Sequence, residues 1–559
     1  MRRSIISTVG LIVATTGLLT GCESPPPTTA DDGNDGGDNT PPVISNATLA
    51  NANPRSPLAA MLTLTTDEPT RLTVRIDDGE RVWDVAPDDE LKTEHSAMVL
   101  GMRFGLSHAV TAITEDAAGN QSNADPITYE TPPVPLELPT IRVTTRDPER
   151  MEPGVNLFNV KWWGDDGREK KLGLIVIMDD RGDIVWSYRN DDDAIDDIRQ
   201  LSNGNILYTN SPAGEMWRLT EIDLLGNVVQ RWHATGTPKE VMTGSTPVAI
   251  DSFHHEVIEL PSGNFLGLSS ELRVMDDFPS SDTDPDAAPE RAAVVGDVVV
   301  EFARDGTVIR QFKLLDILDP HRIGYNSMLG GFYNSLYGDL TDAPLRDWSH
   351  SNALEYNPAD DSVIMSLRHQ DALAKIDLAT GDLIWLLGTA DNWNEPWSSK
   401  RLQPTGEIEW QYHQHGSSFS GTGSIMLFDN GLPRASAFQE QPAVEDRYSR
   451  AVEYAVDDEA MEVSQPWSYG GPGEDAFYSS YLSDVDWLPI TGNILVTDGA
   501  RETGPDGLPS DAPDRKRWAR IFELTHTDPA EIVFEAILEE EPEYGLHIYR
   551  AKRLPSLYP

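Results

Sequence analysis

Three short histidine segments carry most of the chemistry this sequence can offer. They are Phe253-His254-His255-Glu256, Ser349-His350-Ser351-Asn352 and Gln411-Tyr412-His413-Gln414-His415, and each runs directly into a strand-like apolar stretch. Five of the twelve histidines lie in them, in a chain with 43 basic against 92 acidic residues, so chance clustering is a weak explanation. An imidazole accepts a proton, donates one, or attacks as a nucleophile near neutral pH. Arg368 follows the second segment with a planar fork that fits two oxygens of a phosphate, sulfate or carboxylate. The combination points to transfer of an anionic group. Three imidazoles also make an open zinc site, but a fixed cation at Arg368 opposes a divalent ion, and no metal is assigned. Trp186, Trp232 and Trp385 are read as packing rather than as a quinone-stacking box. A metal- or quinone-dependent lyase or dehydrogenase is thus the alternative enzyme, and a surface scaffold that only presents loops is the alternative without catalysis.

Segments so far apart need a closed architecture to meet. From residue 136 to 559 an apolar strand, an Asp-x-x-Gly turn and a second strand ending in an aromatic residue recur, with copies at 174–186, 219–232, 300–309 and 374–385. Complementary hairpins such as Leu201-Ser202-Asn203-Gly204-Asn205-Ile206-Leu207 accompany them. Two hairpins per unit without helical periodicity describe the four-stranded blades of a β-propeller, whose radial closure hides sheet edges. Each histidine segment then lies where a blade begins beside the central channel. Strand alternation lets only one of His254 and His255 face that channel. His413 is in phase with His415 and is expected to support it by hydrogen bonding, while His369, next to Arg368, should point the opposite way. Insertions interrupt the repeats at Met275–Pro289 and Asn326–Pro344. The first holds Asp282-Thr283-Asp284-Pro285-Asp286, which lacks the turn glycine and closing glutamate of a calcium loop. Residues 42–135 show short period-two runs with turns between them, the signature of a small β-sandwich of immunoglobulin or fibronectin type, ended by Thr131-Pro132-Pro133-Val134-Pro135.

Beyond these patterns the chain resembles the bacterial arylsulfate sulfotransferase family. The resemblance is carried by Ser349-His350-Ser351-Asn352-Ala353-Leu354-Glu355-Tyr356, by Ser366-Leu367-Arg368 eighteen positions after His350, and by Ile376-Asp377-Leu378-Ala379-Thr380-Gly381 with Trp385. Gln414-His415-Gly416 with Leu427-Phe428-Asp429-Asn430-Gly431, and His254-His255-Glu256 with Leu260-Pro261-Ser262-Gly263-Asn264, complete it. It runs from about residue 140 to the C-terminus. It implies an all-β chain with a six-bladed propeller that moves a sulfuryl group between phenols without nucleotide sulfate, through a covalent histidine. His415 matches the nucleophile, and His350 and Arg368 the pair holding the sulfuryl oxygens. One of His254 and His255 matches the acid/base. Asn352 is a secondary donor for the substrate and Thr497 a tertiary one. No cofactor is implied, consistent with the lack of a GxxxxGK[ST] phosphate loop.

At 559 residues, core size is not limiting, and the formal charge of −49 makes nucleic acid an unfavourable partner. Residues 1–21 read as an export signal, with an apolar core too short to cross a bilayer. Leu19-Thr20-Gly21-Cys22 resembles a bacterial lipobox, in which Cys22 carries the lipid. The expectation is therefore an N-terminal anchor in the outer membrane, on the periplasmic or the outer face, followed by a flexible linker at 22–41. Cys22 is the one cysteine, so no intrachain disulfide is expected in the mature fold. The expected partners are small phenolic donors and acceptors, with a homodimer left open.

Overall fold

Asp179 shows why the recurring turns fold the chain back. Its Oδ1 accepts the N–H groups of Arg181 (2.9 Å) and Asp183 (3.0 Å), while Gly182 adopts a φ of +85°. A residue with a Cβ reaches that left-handed region only at a cost. Asp223 repeats the arrangement with Leu225 and Asn227 at 2.9 and 2.8 Å. Each such turn joins the two outer strands of one blade.

The computed structural model describes residues 38–558 apart from residues 52, 88, 165–167, 211–215, 238–241, 474–475 and 540–544. The expected signal, Cys22 and most of the linker lie outside the described residues. Six sheets, each antiparallel through its four blade strands, make a six-bladed propeller. The inner strands of the second to sixth blades are Ile195–Gln200, His254–Glu259, Ser351–Asn357, His415–Phe419 and Asp484–Trp487. The first blade is built on Val155–Trp163, whose inner edge pairs with the C-terminal strands Gly545–His547 and Ala551–Leu554. Conversely, Thr140–Arg146 forms the outer edge of the sixth blade by pairing with Ile532–Glu539. Both ends of the domain thus close the ring, the C-terminal strands completing the first blade and the N-terminal strand the sixth.

Buried tryptophans join adjacent blades. Trp186 donates from Nε1 to the Leu224 carbonyl (2.7 Å), Trp232 to the Arg304 carbonyl (2.9 Å) and Trp385 to an oxygen of Asp458 (2.7 Å). Each acceptor lies in the outer turn of the next blade, so one residue type supplies apolar packing and a polar tie between sheets. Along the axis, Glu256 accepts from Arg199 of the second blade, Arg550 beside the first (2.5 Å) and the Leu354 N–H of the fourth (2.6 Å).

Seven strands between Ile44 and Glu130 form one hydrogen-bonded sheet. Its long strand Ala60–Asp77 pairs with Ile44–Ala50 and Lys92–Val99 along its first part, then with Val82–Val85 and Ser107–Asp116. Alternate residues from both parts, among them Leu62, Leu64, Val74 and Ile76, enter one apolar core. Arg81 pairs with Asp179 (2.6 Å), and Tyr558 accepts the Leu100 N–H (2.8 Å), joining this sheet to the first blade.

Candidate active site

The histidine segments enter their blades through strained backbone. His255, His350 and His413 take φ values of +52°, +46° and +50°. For residues with a Cβ each such conformation costs on the order of 1 kcal/mol or more, and such strain concentrates at functional sites. The pairing register shifts at the same places, between His254 and Val257, Ser351 and Ala353, and His415 and Ser417. Strand alternation is therefore broken where the side chains must converge. The His255 ring lies 4.8 Å from that of His350 and 6.5 Å from that of His415. His350 stacks on His369 at 4.6 Å, and His369 lies 5.5 Å from His413. Phe332, from the 326–344 insertion, stacks on His255 (5.0 Å) and meets His350 edge-on (4.7 Å). Tyr549 approaches His415 at 5.0 Å.

Hydrogen bonds assign the protons. His415 Nδ1 lies 2.7 Å from the Ser483 carbonyl, which can only accept, so Nδ1 carries the hydrogen. Burial and then the charge of Arg550 hold His415 well below its ordinary pKa, leaving a neutral ring with its lone pair on Nε2. Among the described residues that buried Nε2 has no hydrogen-bond partner. Arg368 is also buried, and burial lowers it to about 10, so it remains a cation at neutral pH. It donates to His369 Nε2 (2.9 Å) and to the Ser480 carbonyl (3.3 Å), while its Nε–H is unpartnered. The loop Ser480–Ser483 thus holds both Arg368 and His415. Among the described residues no carboxylate forms an ion pair with Arg368, an arrangement suited to an anionic ligand.

His350 Nδ1 is 2.5 Å from Asp347 Oδ2. Burial pushes Asp347 up to about 7, against the charges of His369 and Arg368, while burial and Arg368 push His350 well below its ordinary value. Below about pH 7 Asp347 keeps its proton for Nδ1, and in that form His350 Nε2 is an N–H donor. His413 donates its backbone N–H to Asp371 Oδ1 and brings Nδ1 to the same oxygen, both at 2.8 Å. His254 and His255 touch through Nδ1 atoms at 2.8 Å.

Alternation would have turned one of His254 and His255 away. Instead both are in the cluster: His255 faces His350 and His415, and His254 lies behind it against Asp297. His369 does not point away from Arg368 either. The strand Ser362–Leu367 ends before Arg368, which opens a turn of 3-10 helix at Arg368–Gln370, so the period of two no longer applies. Asn352 donates from Nδ2 to the Gln414 carbonyl (2.8 Å), tying the second and third histidine segments, and its buried Oδ1 has no partner among the described residues. Thr497 accepts the Ala551 N–H on its hydroxyl oxygen (2.9 Å) and helps to hold the closing C-terminal strand. Asp297, Asp347, Asp371, Phe332 and Tyr549 carry no signal in the histidine motifs themselves; Asp347, three residues before His350, and Asp371, three after Arg368, are the ones near enough in sequence to be read with them. Asp347, His350 and His369 bring ligand-type atoms within 4.8 Å of one another. They do not suit a metal, because His369 Nδ1 donates to the Asp347 carbonyl (2.7 Å), its Nε2 accepts from Arg368, and the guanidinium adds repulsion.

The family described as arylsulfotransferase (ASST) matches residues 140–550. The chain is 27% identical over 372 residues to arylsulfate sulfotransferase AssT of Escherichia coli O6:H1, covering 58% of this chain and 54% of that one. It is 29% identical over 256 residues to the protein of the same name from Lelliottia amnigena, covering 39% and 42%. It therefore spans about half the length of these curated relatives. Among solved structures, an auxiliary nutrient binding protein of Bacteroides ovatus shares 11% identity at a TM-score of 0.28, covering 84% of this chain and 82% of that one. With a match over residues 140–550, which contain the whole histidine and arginine cluster, the chain belongs to the arylsulfotransferase family.

Proposed function

We propose that this protein moves a sulfuryl group from an aryl sulfate ester to a phenolic acceptor, in two steps through a sulfohistidine at His415. The observation that carries this reading is the neutral His415 ring, its Nδ1–H fixed by Ser483 and its Nε2 lone pair uncommitted, beside a buried guanidinium that pairs with no carboxylate among the described residues. In the first step Nε2 attacks sulfur and the sulfur–oxygen bond to the aryl group breaks. Its electron pair leaves on the phenoxide, which takes a proton from His255 Nε2. Positive charge on the sulfated imidazole is shared through Nδ1–H with the Ser483 carbonyl. In the second step a phenol oxygen attacks sulfur, the nitrogen–sulfur bond breaks, and the phenol proton passes to His255. Arg368 and the Nε2–H of His350 bind the sulfuryl oxygens as charge builds on them. Phe332, stacked on His255, offers a wall for the aryl ring.

A phenoxide leaves readily, so the donor is already activated and an exported enzyme needs no nucleotide carrier. With this reading go a lipid anchor at Cys22 in the outer membrane, on its periplasmic or outer face, and a division into an N-terminal module at 42–135 and a catalytic propeller at 136–559. The test is incubation with 4-nitrophenyl sulfate and phenol, followed by mass analysis of His415 peptides after brief exposure to donor alone. The expected result is nitrophenolate release with a sulfuryl adduct on His415, absent from His415→Asn. Transfer that survives in His415→Asn would refute the mechanism.

A further inference from the structure

His254 is too well connected to be only a neighbour of the acid/base. Its Nδ1 meets His255 Nδ1 at 2.8 Å, and its Nε2 faces the Ser269 carbonyl (3.0 Å), Asp297 Oδ1 (3.2 Å) and the Tyr333 hydroxyl (3.4 Å). Asp297 is anchored in turn by Tyr333 (3.1 Å), by the Ser349 hydroxyl (2.6 Å) and by the Ser351 N–H (2.6 Å). Every group in this chain is buried. Two nitrogens in contact require one donor and one acceptor, so the state of His254 dictates which nitrogen of His255 bears hydrogen.

We infer that Asp297, His254 and His255 form a proton relay in which the transferable proton is stored on His254 and delivered through His255. This rests on the sulfuryl-exchange reading above. In the loaded state His254 is an imidazolium paired with the Asp297 carboxylate. Its Nδ1–H is donated to His255 Nδ1, so His255 is neutral and carries its hydrogen on Nε2. When His255 Nε2 gives that proton to the departing phenoxide, the His254 Nδ1 proton crosses to His255 Nδ1. His254 is then neutral with its hydrogen on Nε2, and His255 has a lone pair on Nε2. The dyad loses one positive charge, and the proton leaves on the phenol. The acceptor phenol reverses each movement: its proton goes to His255 Nε2, and the Nδ1 proton returns to His254. The 2.8 Å contact is satisfied in both states.

The arrangement answers an electrostatic difficulty. Around His255 lie His350, His415, Phe332 and Tyr549, with the charge of Lys161 farther off and no carboxylate in hydrogen-bond reach among the described residues. Burial, then His350 and His254, push it well below its ordinary pKa, so a cationic His255 is a poor proton store. Asp297 provides the compensation one ring away: although burial raises it, the bond and charge of His254 with the Ser349 and Ser351 donors bring it down to about 2. In this scheme His255 is the catalytic acid/base, and His254 and Asp297 are positioning residues that act through it.

The test is the dependence on leaving-group basicity in single turnovers without acceptor. Phenyl sulfate releases a basic phenoxide that needs protonation, and 4-nitrophenyl sulfate a weakly basic one that does not. Asp297→Asn and His254→Gln should each slow release from phenyl sulfate about 100-fold, and from 4-nitrophenyl sulfate by no more than about threefold. His254→Gln keeps the bonds from Asp297 to Ser349, Ser351 and Tyr333, so it carries the test if Asp297→Asn fails to fold. Losses of equal size on both donors, or no loss at all, overturn the relay. A wild-type protein that takes sulfuryl from neither donor overturns the exchange reading instead.

Discussion

Replacing Arg368 separates function from stability in a way that a packing residue would not. A guanidinium has five N–H groups, and two of them are committed, to His369 and Ser480. Three remain for the sulfuryl oxygens. Arg368→Lys keeps a charge but loses the planar fork; at about 1.5–3 kcal/mol for one charged hydrogen bond, kcat/KM should fall about 10- to 150-fold. Arg368→Met loses two such bonds and the charge, about 3–6 kcal/mol or about 10²- to 10⁴-fold. If the bonds tighten as charge develops, the loss falls in kcat rather than KM. Stability should respond little: the unsatisfied acceptor left at His369 is set against relief of burying an unpaired cation, for a net change under about 2 kcal/mol. Arg450, also buried but bonded to Asp429 (2.8 Å) and Glu409 (2.9 Å), is the control. Arg450→Met leaves the buried Asp429 with Arg434 as its one remaining guanidinium among the described residues and should cost about 3 kcal/mol or more. The assays are stopped-flow release of nitrophenolate without acceptor and urea unfolding of each variant. Transfer by Arg368→Met within about threefold of wild type, or a stability loss matching that of Arg450→Met, would refute an anion-binding Arg368.

Two further outcomes follow from the charges around this site. Because burial and Arg550 hold His415 well below its ordinary range, lowering the pH through 6.5 should leave its lone pair free, where an ordinary imidazole one unit below its pKa has lost about tenfold in neutral form. The single-turnover rate should therefore not fall from pH 7.5 to 5.5, protonation of Asp347 near 7 only strengthening the His350 donor, and a tenfold fall would place the nucleophile elsewhere. Glu256 follows His254 and His255 in sequence, yet its bonds run to Arg199, Arg550 and Leu354 across the axis. Glu256→Gln should remove about 3 kcal/mol of stability in urea unfolding by taking charge compensation from the buried Arg550 and the half-buried Arg199, and a change under about 1 kcal/mol would show that this hub contributes no net stability.

The blades were legible because their code is local. The apolar stretches beside Asp179 and Asp223 specify strands, the aspartates and glycines specify the turns, and repetition of that unit predicts a ring. The convergence of His255, His350 and His415 followed from the ring, since each precedes or opens an inner strand. The orientation of each imidazole was not legible, for a physical reason. Period-two arguments hold only while the backbone stays extended, and here it leaves that region at His255, His350, Asp371 and His413 without the glycine that would have announced it. The partners that make those conformations affordable come from distant segments: Asp371 Oδ1 caps both the N–H and the ring of His413, and Asp347 holds the His350 ring. Left-handed backbone frees each ring from the pleat of its strand. An extended entry would send His254 and His255 to opposite faces, whereas the turn at His255 lets their Nδ1 atoms touch. The same strain that obscured the site in the sequence is what allows two consecutive histidines to pass a single proton.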